Sequence, residues 1–61
     1  MKKLVKFRLD NHWEGEGTID HGAKPEDGNW SVTLTKPCKE FKAGTVILVG
    51  VEEITGVEMV A

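Results

Sequence analysis

Tyrosine is missing from this sequence, cysteine occurs once and proline twice. A lone thiol, Cys38, can close no internal disulfide and supply no cysteine-based zinc site, so the 61 residues must hold together by packing. Long apolar runs are missing too. The longest spans residues 46–49, or 46–51 if Gly50 is counted, far short of the roughly 20 residues of a membrane-spanning helix. The basic start, Lys2 and Lys3, meets Leu4-Val5 and then Lys6, which leaves no room for the apolar stretch of a secretory leader. Nor is there an excess of charge of one sign: ten acids against eight bases give a net charge of −2, unlike the basic profile of a general nucleic-acid binder. These absences point to a cytoplasmic protein with one domain over residues 1–61. In size it resembles the short stand-alone reading frames of phage and mobile gene cassettes.

What is present is strand alternation. Val5, Phe7 and Leu9 point one way while Lys6 and Arg8 point the other. Asp10-Asn11 is a turn pair, because short polar side chains bond their own backbone. Trp13, Gly15, Gly17 and Ile19 then share a face opposite His12, Glu14, Glu16, Thr18 and Asp20. Two glycines in one strand predict a bend, a bulge or the close passage of another backbone. Residues 21–29 read as a loop whose tight turn is Glu26-Asp27-Gly28. Trp30, Val32 and Leu34 alternate with Ser31, Thr33 and Thr35 until Lys36-Pro37 ends the strand. Residues 45–51 are apolar on both faces, with Val46 and Leu48 on one and Ile47, Val49 and Val51 on the other. Such a strand is central, crosses a barrel corner, or lies in a subunit contact. Glu52-Glu53 is the expected last turn, with Thr55-Gly56 as its rival. Five short strands predict an all-β fold, a small five-stranded SH3-like or OB-type partly open barrel.

Gly28-Asn29-Trp30, Lys42-Ala43-Gly44-Thr45-Val46, Val49-Gly50-Val51-Glu52 and Ile54-Thr55 together resemble the soluble OB-type domain of NfeD-like membrane proteins, over about half the chain. The resemblance implies a barrel. It implies no membrane role and no catalytic residue: the family's membrane helices have no counterpart here, and Glu53 stands where the family carries glycine.

The charges are split along the chain. Lys2, Lys3, Lys6 and Arg8 crowd the first strand, whereas Asp10, Glu14, Glu16, Asp20, Glu26 and Asp27 follow with only Lys24 among them. Cross-strand pairing of a basic strand with an acidic one is the expectation. The alternative is a nucleic-acid- or ligand-binding barrel that uses Lys2, Lys3, Lys6 and Arg8, helped by Lys36, Lys39 and Lys42, against phosphate. A further alternative is an acidic inhibitor that mimics nucleic acid through Glu14, Glu16, Asp20, Glu26 and Asp27. His12, Glu14, Glu16, Asp20 and His21 are the only metal-like grouping. Residues two apart on a strand lie some 6–7 Å from each other, so they are expected to form a solvated acidic face rather than to hold a metal. No catalytic constellation, phosphate loop or cofactor motif is evident. Trp30 is expected in the core, Trp13 as a partly exposed anchor, and Cys38 as a thiol without a role in a polar loop. The reading that follows is an interaction module acting through Trp13, Val46 and Leu48 on a protein partner or on a second copy of itself, as a homodimer, with no enzymatic activity.

Overall fold

In a computed structural model, which describes residues 2–20 and 22–60 (59 and 60 through their backbone only), the alternating stretches become five antiparallel strands. They are β1 (Lys2–Leu9), β2 (Trp13–Asp20), β3 (Asn29–Leu34), β4 (Val46–Gly50) and β5 (Ile54–Val60), arranged in one sheet in the order β4-β3-β2-β1-β5. The first four strands follow one another as hairpins, and β5 returns to pair with β1. The strands at the two ends of this order, β4 and β5, are joined by a single 3-10 turn, Val51–Glu53. The sheet therefore curls round one core and stays open between β4 and β5, a partly open barrel.

The core follows from the alternation. Val5 and Phe7 from β1, Ile19 from β2, Val32 and Leu34 from β3, and Ile47 and Val49 from β4 are all buried. Leu9, Trp30, Phe41 and Ile54 pack partly against them. Curvature comes from β2. A Cβ on Gly15 would lie 2.5 Å from the Phe7 ring, and one on Gly17 would lie 2.6 Å from the Thr33 carbonyl oxygen and against Val32. The two glycines let β1 and β3 close over β2 with no side chain between.

Local chemistry sets the turns. Asp10 and Asn11 both have positive φ (52° and 54°), and the His12 N–H donates to the Leu9 carbonyl at 2.9 Å. Asp27 and Gly28 repeat this geometry (φ 50° and 75°), with Glu26 and Asn29 exchanging both backbone bonds. Paired positive φ values twist a turn in the sense that flanking strands need, and Asn, Asp and Gly tolerate them best. Before β4, the N–H of Gly44 (φ 89°) donates to the Leu34 carbonyl, and the N–H of Leu34 donates to the Thr45 carbonyl. Two residues thus oppose one, a glycine bulge that sets the register of β4.

Of the three places open to the doubly apolar strand, the centre of the sheet is excluded: β4 ends the sheet, with Val46 and Leu48 exposed on its outer face. It also stops at Gly50, where Val51 begins the 3-10 turn. That turn is the expected Glu52-Glu53 connection, while Thr55 and Gly56 lie inside β5. Cys38 lies in the expected polar loop, but its own side chain is buried. It bridges to Phe41 around Lys39 and Glu40, is 5% exposed, and sets its Sγ 3.6 Å from the Glu14 carbonyl oxygen. Polar neighbours in sequence concealed a side chain that plugs one end of the core.

Candidate functional site

The opening of the barrel gives β4 an unusual edge. Antiparallel strands alternate between pairs that exchange backbone bonds and pairs that do not. The bonds of Leu34 to Thr45 and of Val51 to Gly28 fix the phase of this alternation. Ile47 and Val49 spend their backbone groups on Val32 and Trp30, while the N–H and C=O of Val46 and Leu48 point away from β3. Gly50 shares that outward phase, but its N–H donates to Glu53 Oε1 at 2.8 Å. The uncapped edge is therefore short, bounded by the glycine bulge at one end and the Glu53 cap at the other.

The side chains over this edge are apolar. Val46 is 61% exposed and Leu48 67%. Beside them lies a groove of about 470 Å³ lined by Leu9, Phe41, Val46, Ile47, Leu48 and Glu53, among others. Lys39 closes its rim and donates to Asp10 Oδ2 at 3.3 Å, tying the Cys38–Phe41 turn to the β1–β2 turn. Among the described residues, backbone groups paired with no other strand and exposed aliphatic side chains thus coincide on β4.

Trp13 lies elsewhere. It stands 40% exposed at the β1–β2 hairpin end, its ring edge-to-face with His12 at 4.9 Å. Its cross-strand partner Leu9 lines the β4 groove, and Trp13 does not. Of the three partner-binding candidates, two share a surface. What the sequence did not single out is the bulge and cap that frame that surface. The signals were there: Lys42-Ala43-Gly44 before the strand and Glu53 three residues after Gly50.

The basic and acidic strands meet as expected. The register sets Lys2 opposite Asp20, Lys6 opposite Glu16 and Arg8 opposite Glu14. Arg8 Nη2 reaches Glu14 Oε1 at 2.7 Å, and Lys2 Nζ lies 3.9 Å from Asp20 Oδ1. Lys3 faces the other side of β1 and lines a different hollow, with Trp30, Val51, Ile54 and Val57. Lys36 does join Lys6 and Arg8 around a third hollow, but Glu14 and Glu16 stand among them. The four bases of the phosphate-binding alternative are thus divided between two sides of the sheet, and three of them, Lys2, Lys6 and Arg8, stand opposite acids. The same pairing sets a base beside Glu14 and Asp20, whose side chains remain 74% and 79% exposed. Glu16 also accepts a bond from the Thr35 hydroxyl, through its main-chain oxygen at 3.1 Å and its carboxylate at 3.4 Å. His21, from the metal-like grouping, lies outside the described residues, and among those described no three His, Cys, Asp or Glu side chains converge.

Comparison with protein families, curated proteins and solved structures gives no match to this chain. Among the described residues no helix is long and apolar enough to cross a membrane.

Proposed function

We propose that this chain is a protein-binding module that recognises its partner by strand addition along β4. The observation that carries this reading is the coincidence, at Val46 and Leu48, of outward backbone groups and largely exposed aliphatic side chains. An added strand would take its affinity from main-chain bonds and its selectivity from alternate side chains. Natural edges are commonly blunted by charge, by Pro, by bulges or by short length; residues 43–51 contain no charge and no Pro, so this edge is shortened only by its glycine bulge and the Glu53 cap. Binding rather than catalysis is also the reading that suits the size of the chain. Phe7, Leu34, Val5, Val32 and Val49 fill the interior, so recognition falls to the surface.

The strand order bears on the choice of barrel. OB-type barrels are Greek keys. Here the first four strands form an uninterrupted meander, and only the fifth returns to the first, which supports the SH3-like alternative.

The test is selection from a displayed library of random seven-residue peptides on the immobilised protein, with counter-selection on Leu48→Lys. Uncharged, β-branched sequences that shift the Val46 and Leu48 amide resonances are expected. A library that yields no binder, or binders that perturb only other residues, would remove the basis for this reading.

A further inference from the structure

The free part of the β4 edge is self-complementary. It consists of the N–H and C=O of Val46 and Leu48, placed symmetrically about Ile47. If a second copy lies antiparallel with its Ile47 opposite Ile47, Val46 of each chain faces Leu48 of the other as a bonded pair. Two donors from each copy then make four hydrogen bonds, with no outward group of these residues left over. No register shifted by one residue along β4 uses all of them. On the outer face the same register sets each exposed Val46 beside a Leu48, closing two apolar surfaces against one another.

Charge points the same way. The nearest charged residue before β4 is Lys42, and the nearest after it is Glu52, both exposed. Antiparallel pairing brings the basic end of one strand to the acidic end of the other, at both ends of the contact. Parallel pairing would put like charges together. A two-fold axis uses the same patch twice, which suits a strand that is apolar, uncharged and palindromic in its bonding.

We infer that the occupant of the β4 edge is a second copy of this chain, paired antiparallel about Ile47 so that the two five-stranded sheets become one. This inference rests on the strand-addition reading above and names its partner. A standard interface of about 800 Å² per partner would take nearly a fifth of the 4269 Å² surface. A contact confined to one short strand is smaller, so the dimer belongs to the weak class with a dissociation constant in the micromolar to millimolar range.

Sedimentation and light scattering from about 10 µM to about 1 mM span that range. The mass is expected to rise from 6.7 kDa toward twice that value, and Leu48→Lys is expected to stay at 6.7 kDa. Register is read by cross-linking. Bonded antiparallel pairs have Cα atoms about 5.5 Å apart, within disulfide reach, whereas diagonal neighbours are too distant. Oxidising a mixture of Val46→Cys and Leu48→Cys chains should therefore give the mixed dimer in large excess over either like pair. A wild-type chain that stays monomeric at 1 mM overturns the inference, as does a mixture that cross-links no better than its components. If peptides selected from the library still bind at Val46 and Leu48, such a result removes the second copy and leaves strand addition standing. An unchanged far-ultraviolet spectrum and urea midpoint for Leu48→Lys separate lost pairing from lost folding.

Discussion

Replacing Gly17 by alanine adds one methyl group, and the structure says where it must go. Gly17 is buried in β2, directly opposite Val5 and Leu34. The new Cβ would meet the Val32 side chain and lie 2.6 Å from the Thr33 carbonyl oxygen and 3.1 Å from its carbon. Two of those atoms are backbone of the neighbouring strand, so relief requires β3 to move rather than a side chain to rotate. Overpacking of this kind costs about 1–3 kcal/mol. Against it stands the conformational gain of Ala over Gly in a strand, about 0.5–1 kcal/mol. The net expectation is a loss of about 1–2 kcal/mol from a domain whose whole stability is about 3–5 kcal/mol. With a urea m-value near 1 kcal/mol/M, the midpoint should fall by about 1–2 M. The melting temperature should drop by about 5–15 °C. Gly56→Ala is the matched control, because a Cβ at Gly56 meets nothing within 4 Å. Only the conformational term applies there, and the variant should gain about 0.4–1 kcal/mol. Urea titration of the three chains under identical conditions is the assay. If Gly17→Ala unfolds with or after Gly56→Ala, close passage of β3 over β2 is not what holds glycine at position 17.

Other perturbations read the remaining contacts. Glu53→Ala leaves the Gly50 N–H without its 2.8 Å partner at a buried residue, so urea titration should show a loss of about 1–2 kcal/mol. Gly44→Ala and Gly28→Ala meet no atoms within 4 Å but must hold φ at 89° and 75°, and each should lower stability by about 1–2 kcal/mol in the same assay. Arg8→Ala breaks a 2.7 Å ion pair whose side chains are 49% and 74% exposed, so the loss should stay below about 1 kcal/mol and shrink further in salt. Cys38, at 5% exposure, should react with a thiol reagent only on unfolding or local opening, at a rate that rises steeply across the urea transition.

Where side-chain alternation alone decides the structure, the sequence was legible. The inward residues of β1 and β3 and the turns at Asp10-Asn11, Asp27-Gly28 and Glu52-Glu53 all follow from period and turn chemistry. The facing of Lys6 with Glu16 and of Arg8 with Glu14 follows from the charge split once β1 and β2 form a hairpin. Legibility failed where a residue's surroundings come from distant chain. Cys38 reads as polar because Lys36, Lys39 and Glu40 surround it in sequence, yet the missing side chain of Gly15 lets its Sγ and the Phe7 ring pack together over β2. The position of β4 in the sheet was likewise hidden. A strand apolar on both faces has the same composition whether it is central or terminal, and only the return of β5 to β1 assigns β4 to the edge.

The same two devices that end β4 also decide what can pair with it. The glycine bulge turns Gly44 and Thr45 back to Leu34, and Glu53 holds the Gly50 N–H, so an incoming strand finds backbone partners only at Val46 and Leu48. A long open edge would pair in many registers and with many chains, which is the route to aggregation. An edge reduced to two outward residues around Ile47 restricts pairing to one register and to few bonds. On the strand-addition reading, this serves one partner strand and disfavours a growing stack. If β4 pairs as proposed, the Glu53 cap acts on stability and specificity together. Removing it both weakens the turn and frees the Gly50 N–H, so in the proposed dimer Glu53→Ala should reduce the excess of mixed Val46→Cys/Leu48→Cys cross-links as well as the urea midpoint.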